Sequence, residues 1–139
     1  MQDSESKFDG TKVILFLGER IAVIRRDARP DIPYPGALDL PGGGREGAET
    51  PEACALRELE EELGLRLDRE ALIWRRFYPR PIRAWFFAAR LPADRAGQVR
   101  FGNEGQGWQL MRPREFAACP QAVPHFRPRV RACLAALGL

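Results

Sequence analysis

Apolar residues fall along this chain in short blocks whose spacing switches between continuous runs and a helical repeat. Lys12 to Leu17 is one such block, bounded by Gly10 and Gly18, and Ile21 to Ile24 follows after a tight polar turn. Short apolar runs closed by turn residues read as neighbouring strands. Residues 27–39 carry Pro30, Pro33, Pro35 and Gly36, which interrupt regular structure and predict a long, stiff loop. The period then changes, because Leu56, Leu59 and Leu63 recur at helical spacing. That helix is expected to begin at Pro51, with Thr50 as N-cap, Glu52 at the positive end of the dipole and Gly64 as C-cap. Two more strands, roughly 71–78 and 82–91, are joined at Pro79–Arg80–Pro81, and a short strand follows around 108–111. Val130, Cys133, Leu134 and Leu137 stand at i, i+3, i+4 and i+7 and predict a last helix over about 127–137. Strands outnumber helices and do not alternate strictly with them. The expected class is therefore α/β (α+β), a mixed sheet with helices packed on its faces.

Composition narrows this only a little. The 139 residues suffice for one domain with a real core and are too few for two ordinary ones. Residues 1–10 are polar and mixed in charge, so they read as a short disordered lead to a single domain over 11–139. They lack the basic and apolar regions of a secretory signal, and no apolar run is long enough to span a membrane, which predicts a cytoplasmic protein. Cys54, Cys119 and Cys133 form no CxxC pair and His125 is the only histidine, so reduced packing thiols are expected and a thiolate zinc site is not. The net charge of +3 is carried almost wholly by arginine. A guanidinium fork suits phosphate oxygens, but a GC-rich genome enriches arginine equally well, so charge alone decides little.

The chemistry sits between Gly43 and Leu65. Glu58, Glu61 and Glu62 stand at i, i+3 and i+4, which gathers three carboxylates on about a third of one helix. Like charges so placed repel, and a hard divalent cation such as Mg²⁺ or Mn²⁺ relieves that repulsion better than zinc does. An exposed acidic face, with Arg57 paired to Glu61, is the structural alternative. Arg57 is placed to hold Glu58 by a forked ion pair. Gly42, Gly43 and Gly44 let the backbone approach a ligand closely, so that a carbonyl there can complete a metal shell. Glu60 falls off the cluster and reads as solvated.

The whole stretch resembles the Nudix box, G-x5-E-x7-R-E-U-x-E-E-x-G-U with U a bulky aliphatic. It matches at Gly43, Glu49, Arg57, Glu58, Leu59, Glu61, Glu62, Gly64 and Leu65. A chance match of that kind occurs on the order of 10⁻⁹ times per starting position. The approach Leu40-Pro41-Gly42-Gly43 and the element order over roughly 11–135 are similar as well.

The resemblance implies an α/β/α sandwich and a Mg²⁺-dependent hydrolase of diphosphate linkages, with Mn²⁺ a substitute. It implies Glu58, Glu61 and Glu62 as metal carboxylates, Gly42 as a carbonyl ligand and Arg57 as the residue that orients them. Glu49 is a doubtful ligand that suits a loop-structuring role. Asn103-Glu104-Gly105-Gln106-Gly107-Trp108 resembles the segment before a late strand in MutT-type members, which makes Glu104 a further ligand or base. Glu58 and Glu104 both stand as the general base.

The implied partner is a small nucleotide or nucleotide derivative. Arg25, Arg26 and Arg80 are the candidate phosphate contacts, and Trp85, within Trp85-Phe86-Phe87, or Tyr34 the candidate stacking residue; His125 reads as a loop residue. Hydrolysis of a nucleoside triphosphate is placed slightly ahead of ADP-ribose or another NDP-X, with 5′-end RNA hydrolysis open within the class. A non-catalytic sensor is disfavoured by the intact glutamates, and a nucleic-acid-binding module by the scattered basic residues. The resemblance allows a homodimer without requiring one.

Overall fold

A computed structural model describes residues 7–139. Seven strands form one mixed sheet: β1 (Gly10–Leu17), β2 (Arg20–Arg25), β3 (Leu38–Asp39), β4 (Gly42–Gly44), β5 (Leu72–Tyr78), β6 (Ala84–Leu91) and β7 (Gly107–Met111). Among the described residues three α-helices accompany them: α1 (Pro51–Leu63), α2 (Pro113–Ala118) and α3 (Phe126–Leu137). The main sheet order is β3-β2-β1-β6-β5, with β4 on β1 and β7 on β2. β1 and β6 run parallel over their full length, and the other pairs are antiparallel.

The alternation of side chains along β1 and β6 creates two cores. Ile14, Phe16, Ala84, Phe86 and Ala88 face α2 and α3, where they meet Phe116, Phe126, Val130 and Leu134. Val13, Leu15, Leu17, Trp85, Phe87 and Ala89 face α1, where they meet Cys54, Ala55, Leu59 and Leu63. The expected mixed sheet with flanking helices is therefore the one found.

Several expectations shift at this level. Of the expected disordered lead, residues 1–6 lie outside the described residues. Phe8, however, is 3% exposed within the α1-side core, and Gly10 already belongs to β1, so the order begins before residue 11. The glycine run 42–44, expected as loop, is strand β4, and the proline-rich loop ends two residues early, in β3. α2 was not foreseen, since six residues are too few for a legible period. Leu56 is only partly buried, and Cys54 and Ala55 complete the apolar stripe of α1 instead.

The placement of β3 and β4 positions everything that follows. β1 and β2 pair only at their turn end, at Phe16–Ile21 and Leu17–Arg20. Beyond it, β2 turns to β3 and β1 turns to β4. The segment 38–44 thus wedges between two splayed strands and carries Asp39, Gly42 and Gly43 to the mouth of the opening.

Candidate active site

α1 begins and ends where capping chemistry places it. The Thr50 side chain accepts a hydrogen bond from Ala53 N at 3.2 Å. Gly64 closes the helix at φ 68°, a left-handed conformation that other residues adopt only with strain. Between these caps the helix carries a carboxylate cluster organised by one arginine. Arg57 Nε donates to Glu49 Oε2 at 2.6 Å and Nη2 to Glu49 Oε1 at 3.1 Å, a bidentate pair. Its Nη1 donates to Glu58 at 3.0 Å and to Glu61 at 3.1 Å, and Nη2 also reaches the Gly44 carbonyl at 2.8 Å. Those bonds hold the Arg57 guanidinium well above its ordinary value, the Glu49 contact foremost. Glu49 in turn accepts from Glu46 N at 2.8 Å, so it ties the loop to the helix.

Glu58 and Glu62 are the two carboxylates the fold draws inward. Glu58 is 8% exposed, and its carboxyl group packs on Gly43, where a Cβ would lie 2.5 Å from the Glu58 Cδ. Burial raises its pKa, against the lowering effect of Arg57. Glu62 Oε1 accepts from Gly42 N at 2.7 Å. Burial pushes Glu62 up to about 7, opposed by the Gly42 N–H and by Lys12, and assisted by Glu58 and Asp39. Glu61 is more exposed, and Glu60 is exposed and paired with Arg66, as a solvated position requires.

Glu62 opens into a polar cavity of about 390 Å³ lined also by Lys12, Arg26, Asp39, Gly42 and Glu104. The loop after β6 therefore brings Glu104 to the same opening as the box helix. Asp39, 6% exposed, sits at its floor between Lys12 Nζ at 3.0 Å and Arg26 Nη1 at 2.8 Å. Neither Lys12 nor Asp39 was foreseen as a site residue. The available signal was a charge inside or beside an apolar strand pattern, Leu38-Asp39-Leu40 and Lys12 before Val13. On the other side of Lys12 and Gly43, which both cavities share, lies an apolar cavity of about 230 Å³ walled by Ala84, Phe86, Phe126 and Arg129. His125, set immediately before α3, reaches this wall, and its ring lies 5.9 Å from that of Tyr34.

Three predicted contacts fall elsewhere. Arg25 points across the sheet edge, where Nη1 donates to the Gly36 carbonyl at 2.8 Å and Nη2 to Gln121 at 3.1 Å. Consecutive strand residues face opposite ways, so Arg26 takes the cavity and Arg25 cannot. Arg80 presents its carbonyl, not its side chain, as acceptor for Arg129 Nη2 at 2.6 Å. Trp85 is buried on the α1 side, and its neighbour Phe86 is the aromatic residue that faces the apolar cavity.

The donor set suits a hard divalent cation: carboxylates gather on one edge of the helix, and two of them are desolvated. Among the described residues no three acidic, histidine or cysteine side chains yet meet at one point as a closed cage. The reason is local, since Arg57 and the Gly42 N–H currently take the oxygens that would turn toward an ion.

A sequence model of the NUDIX domain matches residues 7–133. An 8-oxo-dGTP diphosphatase of Haemophilus influenzae is 41% identical over 73 residues, which are 50% of this chain and 51% of that protein. An RNA pyrophosphohydrolase of Erythrobacter litoralis is 33% identical over 101 residues, 70% of this chain and 57% of that one. The chain thus spans a little over half the length of these curated relatives. The crystal structure of a MutT protein from Methanosarcina mazei Go1 superposes with a TM-score of 0.70 at 17% identity, covering 90% of this chain and 91% of that one.

Proposed function

This chain belongs to the NUDIX family, and from that starting point we propose that it is a Mg²⁺-dependent hydrolase of a diphosphate linkage in a nucleotide-like substrate. The observation that carries the proposal is the convergence of Glu62, Gly42 and Glu104, from three separate parts of the chain, on one polar cavity. Glu62, Glu58 and Glu61, with Glu104 and the Gly42 carbonyl, are the groups that would hold the ion. When bound, magnesium supplies neutralisation of phosphate charge and acidification of the attacking water. Arg57 orients Glu58 and Glu61, a positioning role supported by its hydrogen bonds to both. Arg26 and Lys12 present positive charge to the same cavity, tethered by Asp39. A diphosphate lying there would meet fixed rather than mobile cations, which lowers the cost of ordering it.

Of the two candidate bases, Glu104 is the better placed. Its carboxylate lines the cavity and carries no ion pair among the described residues, whereas Glu58 is gripped by Arg57. The apolar cavity beyond Lys12 and Gly43 receives the non-phosphate part of the substrate. Three free thiols, two of them buried, are consistent with a reducing, cytoplasmic setting.

A panel of nucleoside triphosphates, NDP-sugars, dinucleoside polyphosphates and 5′-triphosphate RNA, assayed with Mg²⁺ in ¹⁸O-water, tests the proposal. Turnover that requires the cation is expected, with label in one phosphate product. Glu62→Gln should lower kcat by at least about 10²-fold without unfolding the protein. Nucleotide binding with no cleavage of any panel member, or wild-type rates in Glu62→Gln, would overturn it.

A further inference from the structure

The apolar half of the cleft contains a cation that, among the described residues, has no carboxylate partner. Arg129 projects from α3 and is 8% exposed. Its guanidinium lies 4.1 Å from the centroid of Tyr78 and 4.9 Å from that of Phe86. Its Nη2 donates to the Arg80 carbonyl, and among the described residues no carboxylate pairs with it. A guanidinium has five N–H donors. One carbonyl therefore leaves most of them without a protein acceptor, and they are open to a ligand in the cavity that Arg129 lines. The hydroxyl of Tyr78, whose ring this guanidinium covers, is also buried without a partner.

The surroundings say what would satisfy these donors. The cavity beside Arg129 is walled by Ala84, Phe86, Phe126 and Ile82, with His125 at its edge. Burial and the nearby Arg129 charge lower the His125 pKa, which favours the neutral imidazole. The other cation there, Lys12, is committed to Asp39 and to the Leu40 carbonyl. A dry apolar cavity of roughly 150 Å³ already holds a benzene ring. At about 230 Å³ this one has room for a larger planar ring. It adjoins the polar cavity, the two sharing Lys12 and Gly43 as lining residues, so one molecule spanning both would place phosphates in one half and a ring in the other.

We infer that Arg129 determines base specificity, its unused N–H groups donating to carbonyl oxygens on the edge of a nucleobase ring held against Phe86 and Phe126. Keto-edged bases such as hypoxanthine and uracil offer these donors a carbonyl acceptor. At that same position adenine and cytosine present an amino group, which cannot accept from a guanidinium, so this contact is lost. This selectivity rests on the nucleotide-hydrolase reading for its ligand class, but not on the metal or on catalysis.

The test is calorimetric binding without metal, comparing inosine with adenosine 5′-monophosphate and uridine with cytidine 5′-monophosphate. The members of each pair differ mainly in a carbonyl replacing an amino group. The keto member is expected to bind at least about tenfold more tightly to the wild type. In Arg129→Met the ratio should fall toward one. In Arg129→Lys, which keeps charge but not the fork, it should be intermediate. Thermal melts identify variants that remain folded, and Arg129→Lys serves if the methionine variant does not.

An unchanged ratio in a folded variant would overturn the inference and leave Arg129 as a brace for Tyr78 and Phe86. Equal weakening of all four ligands would also overturn it, by assigning Arg129 to the shared ribose phosphate, as would a wild-type preference for the amino bases. Mg²⁺-dependent hydrolysis without base selectivity would sink this inference alone. Selectivity in binding without hydrolysis would sink the catalytic reading alone.

Discussion

Gly43 shows how one missing methyl group sets the position of a carboxylate. The Glu58 carboxyl occupies the space a Cβ would take, and it is held from behind by Arg57. Gly43→Ala must therefore displace Glu58, and kcat/KM is expected to fall by at least about tenfold while the thermal midpoint changes little. Wild-type kinetics in that variant would show that Glu58 does not need this seat. Glu62 offers a second test at the same scale. Its burial raises the pKa from 4.5 to about 7, so the folded protein holds this proton more tightly than the unfolded chain does. The associated stability is complete below pH 4.5 and is lost as pH rises through about 7. Without metal, the wild type should lose stability relative to Glu62→Gln across that window, as read by urea melts at successive pH values. Parallel curves for the two proteins would refute the assignment. Glu62 was legible in the sequence as a member of the cluster. Its burial was not, because i, i+4 spacing reports which face a residue shares and not how deep that face sits.

Among elements, α1 was the most legible, and for a physical reason. A cap, a proline at the first turn, an apolar stripe and a terminal glycine are all local signals that agree with one another. Thr50→Ala removes the bond to Ala53 N and should cost about 1 kcal/mol. For a domain of this size that is a drop of roughly 3–5 °C in melting midpoint, with activity per folded molecule preserved. A scanning-calorimetry midpoint that does not move would mean that tertiary packing, not the cap, holds the helix end. The segment 38–44 is the contrasting case. Its glycines suggested a loop, yet β4 pairs with β1 at Gly10–Gly44, Thr11–Gly43 and Lys12–Gly42. Glycine has low strand propensity, so only the splaying of β1 from β2 makes a strand there. The same geometry explains why a Cβ on Gly42, at φ 144°, would lie 2.1 Å from the Thr11 carbonyl oxygen.

For the molecule as a whole, one sheet with two covered faces separates chemistry from support. α1 closes one face and brings carboxylates, while α3 closes the other and brings Arg129 and the wall of the apolar cavity. The three thiols report on this arrangement. Cys54 and Cys133 are buried in opposite cores, and burial pushes Cys133 up to about 12, whereas Cys119 is partly exposed. Alkylation of the native protein at pH 8 is expected to modify Cys119 first, with Cys54 and Cys133 reacting only on unfolding, as mass spectrometry of labelled peptides would show. Early labelling of Cys133 would mean that the α3 layer opens far more readily than its packing suggests.

Read alone, the chain already determined its family, its longer strands and helices, its box helix and the identity of the acidic residues on it. All of these depend on contacts within a few residues, where spacing and side-chain type are sufficient. Only the tertiary structure decided that Asp39 and Lys12 share a cavity with Glu62, that Arg26 enters it while Arg25 does not, and that Phe86 displaces Trp85 as the aromatic wall. Those facts turn on which way a strand faces and which distant segment meets it. A shift of a single residue in register would turn the strand-borne side chains among them to the opposite face.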